Sequence, residues 1–146
     1  MPAATIHVRV PFVDVDSTQR IHYTAWLRFM EVAEHHLMRE IGFSYATVLR
    51  DQAYPRVRLE CDFRGAIQYD DQLDVEARIE RVGRSSWTVA FVGRHAGAPA
   101  SAEPVATGKM TIVCMNPATQ RSRPLPDDLS SALSADLPDQ SSAEAL

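Results

Sequence analysis

Two carboxylates spaced two residues apart, Asp14 and Asp16, close a strand-like run and precede Arg20-Ile21-His22-Tyr23-Thr24-Ala25-Trp26, the start of a strongly apolar stretch. An acid between a strand exit and a helix start stands beside free backbone N–H groups and the positive end of the helix dipole. Acid and carbonyl-polarising amide together are the minimum apparatus for attacking an acyl compound. In an extended chain the two acids point to one side, with Val15 opposite, and Phe12 continues that side at the margin of a buried face. The same residues also read as an ordinary reversal, with Asp16-Ser17-Thr18 an Asx-type turn and Asp14 a solvated strand end. Residue physics alone favours that plainer reading. His22 and Tyr23 follow, and their amides are candidates for the unsatisfied first-turn donors. Imidazole as a class also trades protons near neutral pH. Taken alone, His22 reads more simply as a surface residue and Tyr23 as packing against the sheet.

Other groups carry weaker signals. Glu31 and His35, like His36 and Glu40, stand at i, i+4 on a helix, a spacing found in metal sites. No second Glu-x-x-His helix completes a ligand set, so a solvated ion-pair face is expected and no metal. Arg56, Arg58 and Arg64 alternate along one strand, and Arg81 and Arg84 flank a hairpin. Either group offers a grip on phosphates, although strand-face charges are usually only solvated. Cys61 and Cys114 lack metal-ligand spacing and read as small core residues. There is no nucleophile elbow, phosphate-cradling loop or dinucleotide fingerprint.

The elements that must position these residues are legible as periods. Five segments alternate with period two: Ile6 to Phe12, Val57 to Phe63, Leu73 to Ile79, Trp87 to Phe91, and Ala106 to Cys114. Alternation of this kind marks a sheet with one buried and one wet face. In the second segment Val57, Leu59, Cys61 and Phe63 are expected inward and the arginines outward. Gly83-Arg84-Ser85-Ser86 reads as a hairpin loop, and 96–104 as a longer connection. Between the first two strands Trp26, Met30, Ala33, Leu37 and Ile41 form a helical stripe, widened by Leu27, Phe29, Val32 and Met38, so this helix is buried on several sides. Gly42 suits its C′ position, and Ser44 caps a short second helix ending near Asp51. One apolar helix for five amphipathic strands predicts a mostly antiparallel sheet curled around that helix. Such a sheet leaves an edge open, and pairing edges in a symmetric dimer is the natural remedy. The regular part ends near 128, and 129–146 reads as a mobile or weakly helical tail.

Bulk properties exclude several function classes. At 146 residues the chain reads as one domain, with a formal charge of -4 that argues against a nucleic-acid partner. No apolar run reaches membrane-spanning length. The N-terminus lacks a basic region followed by an apolar one, and the cysteines are isolated, so a cytoplasmic location is expected.

The pattern Phe12-Val13-Asp14-Val15-Asp16, then Arg20 to Trp26 and Glu31, resembles the opening of the 4-hydroxybenzoyl-CoA thioesterase family. The resemblance continues through Tyr69-Asp70-Asp71-Gln72-Leu73, Ala106-Thr107-Gly108-Lys109 and Arg121-Ser122-Arg123-Pro124-Leu125-Pro126, and covers residues 5–128. It implies an α+β hot-dog fold, a curved, mostly antiparallel five-stranded sheet around one long helix. It implies hydrolysis of an acyl-CoA or acyl-carrier-protein thioester, with coenzyme A part of the substrate and no resident cofactor. Carried over by position, Asp16 is the catalytic acid, nucleophile or general base, and the Tyr23 amide polarises the thioester carbonyl. His22 is then an auxiliary polar group. The resemblance further implies a homodimer with the site at its interface, and dimers that can pair into tetramers. The chain departs from the family at Gln19, where many members have Gly, and at Tyr23 and Trp26, which suggest a more aromatic pocket wall. Two other readings fit the same residues: a hot-dog hydratase or dehydratase sharing acid–base work between Asp16 and His22, and a non-catalytic acyl-CoA-binding module.

Overall fold

The computed structural model describes residues 1–137 and the backbone of 142–145. In chain order it has β1 (Ala3–Arg9), a 3-10 turn (Phe12–Asp14), α1 (Tyr23–Glu40), β2 (Arg56–Phe63), β3 (Gln72–Val82), β4 (Ser86–His95), β5 (Ala106–Val113), α2 (Asp127–Ser134) and β6 (Ser142–Ala145). The sheet order is β2-β5-β4-β3-β1-β6. The pairings among β1 to β5 are antiparallel, and β6 adds a parallel strand beyond β1. The five-stranded antiparallel sheet against one long helix is the hot-dog fold expected above, with β6 as an extra edge.

The helix lies on the inner face of the sheet because its apolar stripe has nowhere else to go. Trp26, Phe29, Met30, Ala33, Leu37 and Met38 are fully buried. Two glycines let it sit close. A Cβ at Gly93 would come within 2.8 Å of the Trp26 ring, and one at Gly108 within 2.7 Å of the end of the Met30 side chain. The Trp26 Nε1–H is satisfied by the Thr107 carbonyl at 3.2 Å. Trp26 is therefore a core residue, and the pocket-wall role suggested for it is corrected: its position faces the sheet. The C-terminus of α1 closes as a Schellman motif, with Gly42 at φ 88°. The Phe43 N–H reaches the Met38 carbonyl at 2.8 Å and the Gly42 N–H reaches Arg39 at 3.0 Å.

Three expectations change. Ser44 does not start a second helix; its carbonyl collects the amides of Thr47, Val48 and Leu49 in a run of turns. The start of β2 also departs from the expected inward set, at Arg56 and Val57. A register shift between Arg56 and Arg58 breaks the alternation, so Arg56 reaches α1 while Val57, Leu59 and Phe63 stay 60%, 49% and 50% exposed. The bulge puts Arg56 on the inner face opposite Ile112 and Val57 on the outer face with Arg58 and Glu60. Beyond it Leu59, Cys61 and Phe63 pair with Met110, Gly108 and Ala106 and keep the inward phase expected of them. Finally, packed structure continues past 128. α2 buries Leu129 and Leu133 in the core, and β6 pairs with Thr5 to Val8 of β1. The periodic signal is short there, and only a waiting apolar surface makes it hold. The rest of the predicted tail, 138–141 and 146, lies outside the described residues.

Candidate active site

The alternation of β1 stops at Val10. Pro11 leads into the 3-10 turn, which turns Phe12 out to 76% exposure instead of continuing the inner face. The same turn separates the two acids. The Asp14 carboxylate is tucked in, 11% exposed, and paired with Arg28 of α1. Its backbone carbonyl accepts the His22 N–H at 2.7 Å. Asp14 thus ties the loop to the helix. Asp16 stands in a tight reversal closed by the Val15–Ile21 bridge and by the Gln19 N–H on its own carbonyl at 3.0 Å.

The Asp16 carboxylate makes the Asx turn of the plainer sequence reading. Its Oδ1 accepts the Thr18 N–H at 2.8 Å and the Thr18 hydroxyl at 2.6 Å. Among the described residues Oδ2 has no partner. The Thr18 hydroxyl, then the Thr18 N–H, hold this acid below its ordinary 3.8, and the nearby His22 acts in the same direction. The carboxylate is therefore anchored by one oxygen, ionised, and open at the other. Gln19 takes φ 64°. That is the left-handed conformation a glycine would adopt freely, so the loop keeps a glycine-like path with a side chain present, at a cost of about 1–2 kcal/mol.

The start of α1 accounts for its own amides. His22 is the N-cap, and its Nδ1 accepts the Thr24 N–H at 3.2 Å and lies 2.7 Å from the Thr24 hydroxyl. Accepting at Nδ1 places the ring hydrogen on Nε2. The Ala25 N–H reaches the His22 carbonyl at 2.9 Å. Among the described residues the Tyr23 N–H, at the first helical position, has no acceptor. The Tyr23 ring is 65% exposed and stacks on His22 at 4.4 Å. A cavity of about 560 Å³ opens beside this loop, lined by Phe12, Val15, Asp16, Ser17, Gln19, Gln68 and Tyr69. Of the three residues predicted from sequence, Asp16 lines it, while His22 and Tyr23 lie on the neighbouring helix start and do not.

A second polar centre escaped the sequence reading. Glu34 of α1 is fully buried and accepts hydrogen bonds from the Tyr45 hydroxyl and from Arg56 Nη2 at 3.2 Å, with His35 Nε2 at 3.4 Å. Burial pushes its carboxyl up, partly opposed by Arg56. Burial beside Glu34 likewise raises the Tyr45 phenol. Tyr54, further along the same segment, is pushed up to about 12 by burial and by Cys114. Tyr45, Tyr54, Arg56 and His35 border a separate cavity of about 510 Å³. The missed signal was phase: Glu34 falls one turn after Met30 and one turn before Met38, on the buried stripe. His35 faces Glu34 and His36 faces Glu40 at 3.9 Å, and no cluster of three metal-ligating side chains occurs among the described residues. Of the arginines, Arg56 and Arg58 are engaged by Glu34 and Glu60.

Sequence and structure comparisons agree with this architecture. The model of the Thioesterase superfamily matches residues 19–97, more than half of the chain. The chain belongs to that family. The matched span begins three residues after Asp16. A protein of Aquifex aeolicus (strain VF5) named "Putative esterase" is 28% identical over 86 residues, which are 58% of this chain and 66% of that protein, just under two thirds of its length. Among solved structures, the 1,4-dihydroxy-2-naphthoyl-CoA thioesterase of Synechocystis superposes with a TM-score of 0.81 at 20% identity, covering 90% of this chain and 95% of that one. A gentisyl-coenzyme A thioesterase gives 0.77 at 22%, covering 89% and 99%. The DHNA-CoA thioesterase of Staphylococcus aureus gives 0.81 at 20%, covering 92% and 90%. At these identities the structural likeness establishes the fold. No helix among the described residues is long and apolar enough to cross a membrane.

Proposed function

We propose that this chain hydrolyses an acyl thioester, of coenzyme A or of a carrier protein, with Asp16 as the reacting acid and the Tyr23 amide as the oxyanion donor. The observation that carries the reading is the Asp16 carboxylate itself, fixed through Oδ1, open at Oδ2, and lining a cavity next to a helix start whose first N–H is unclaimed. In one route Oδ2 attacks the thioester carbon, negative charge builds on the carbonyl oxygen at the Tyr23 N–H, and the C–S bond breaks to release thiolate. Water then cleaves the anhydride. In the other route Asp16 takes a proton from the attacking water, and the thiol leaves with a proton. Both use only the carboxylate, water and the amide. A lowered pKa suits the first, because it keeps the attacking oxygen ionised, and makes Asp16 a weak base for the second. The released thiolate takes its proton from solvent, and His22, with Nδ1 committed to the cap, is a polar neighbour of the site.

Support comes from the family and from the named activities of its structural neighbours, which act on aromatic acyl-CoA thioesters. The hydratase reading needs His22 and Asp16 to face one substrate, yet His22 spends Nδ1 on its cap and lies outside the cavity lining. We also propose that the site works in a homodimer formed through the open β2 edge, with tetramers as a further assembly. The testing experiment is thiol release from a panel of acyl-CoAs. Asp16→Ala should keep the native circular dichroism spectrum and lose at least about a hundredfold in kcat. Near-normal turnover in that variant rules the mechanism out, and ligand binding without thiol release by the native protein rules the activity out.

A further inference from the structure

Resting on the thioesterase reading, we infer that the recess beside Asp16 sorts substrates by their acyl group, and that it takes an apolar, uncharged one. The apolar half follows from Phe12 and Tyr69. Both rings line the recess yet remain 76% and 55% exposed. Exposed aromatic surface concentrated at a reacting acid marks a place where something apolar is meant to cover it. The rings are not loose. They meet edge to face with centroids 5.6 Å apart. Phe12 stands on the 3-10 turn, whose Phe12 carbonyl accepts the Val15 N–H at 3.2 Å. Tyr69 stands in the reversal at 68–71, where the Gln68 N–H donates to the Asp71 carboxylate at 2.8 Å and Asp70 takes φ 68°. The Asp70 N–H and the Val10 carbonyl join that reversal to the end of β1 at 2.9 Å, and the Arg20–Gln68 bridge joins it to the Asp16 loop. Two separate turns thus hold a preformed aromatic wall against the acid that reacts, and preformed walls bind without a large ordering cost.

The uncharged half follows from what else lines the recess. Among the described residues Asp16 is its one ionised side chain, and Ser17, Gln19 and Gln68 offer neutral hydrogen-bonding groups. Arg9 is occupied by Asp70 at 3.1 Å, and Arg20 is not among the lining residues. A carboxylate at the far end of an acyl group would meet Asp16 with no cation to offset it. The phosphates of coenzyme A are disfavoured here for the same reason. The pantetheine arm is common to all acyl-CoA substrates and is polar along its length, whereas the aromatic wall rewards hydrocarbon.

The test measures kcat/KM by thiol release for the native protein, Phe12→Ala and Gln68→Arg. Substrates are the acetyl, hexanoyl, benzoyl and succinyl thioesters of coenzyme A and of N-acetylcysteamine. Phe12→Ala should lower the hexanoyl and benzoyl values at least about tenfold relative to acetyl, the scale of lost apolar pocket contacts. The ratio should be the same with either thiol. Gln68→Arg should raise succinyl over hexanoyl by about tenfold or more relative to the native protein. Equal losses on all acyl groups, losses that vanish with the short thiol, or a native preference for succinyl would each overturn the inference. If the native protein releases no thiol from any substrate, the hydrolase reading fails instead. The same variants are then titrated calorimetrically with hexyl- and carboxypropyl-coenzyme A thioethers. The selectivity ratios should persist there, and their absence overturns the inference on its own.

Discussion

At Asp16 the turn geometry and the proposed reacting role are compatible rather than competing descriptions. The two hydrogen bonds from Thr18 that make the Asx turn also fix the carboxylate and lower its pKa. The sign gives a test. A carboxyl whose folded pKa lies below its ordinary 3.8 contributes stability above that value and loses it as pH falls through the folded value. Under the proposed mechanism the same group, acting as the ionised species, sets the acid limb of kcat/KM. That limb should lie below pH 3.8 in the native protein, measured over the range where the fold persists, and Thr18→Val should move it upward by removing the largest cause. An unmoved limb in the variant would show that another group controls it. The spacing of Asp14 and Asp16 was visible in the sequence, but their separation into an Arg28-bound tie and an open acid was not. That division depends on the 3-10 turn at Phe12–Asp14, which no period announces.

Elements carry the second lesson. The strands and α1 were legible because amphipathic periods persist over long stretches, and the glycines under Trp26 and Met30 show how closely the helix was meant to lie. Two elements were misread where tertiary contact overrides period: β2, whose bulge turns Arg56 toward α1, and α2, which is short but buries two leucines. The Glu34 cluster is a product of the first. Burial raises the Glu34 pKa above its ordinary 4.5. A raised folded value means the contribution is fully present below 4.5 and lost as pH rises through the folded pKa. Glu34→Gln cannot titrate. Its unfolding free energy, measured in urea, should therefore gain on the native protein as pH rises from below 4.5 toward neutrality. The opposite slope would mean that pairing with Arg56 outweighs burial. Glu34→Ala should lose stability by roughly 1–3 kcal/mol, because it leaves the Tyr45 hydroxyl without its buried acceptor, whereas the partly exposed Arg56 stays hydrated.

The whole molecule raises the question of its open edge. Among the described residues β2 ends the sheet, with Leu59 and Phe63 exposed on its inner face, Val57 exposed on its outer face, and a row of unpaired backbone groups between them. Exposed edges of this kind are aggregation hazards unless covered, which is the physical ground for the proposed dimer. Sedimentation velocity should find a dimer of the 16.3 kDa chain, and Leu59→Lys should shift it toward monomer while leaving the secondary structure intact. A monomeric native protein would remove the dimer from the mechanism. By itself the sequence determined the strands, the buried helix, the acid next to a helix start and, through resemblance, the family. Those features depend on local periods and on motifs whose order survives in one dimension. Tertiary structure alone decided which acid stays open, that Trp26 fills the core, that Tyr23 holds the one first-turn amide without an acceptor among the described residues, and that Phe12 and Tyr69 meet across a recess. Each of these depends on groups far apart in the chain competing for the same hydrogen bonds and the same volume.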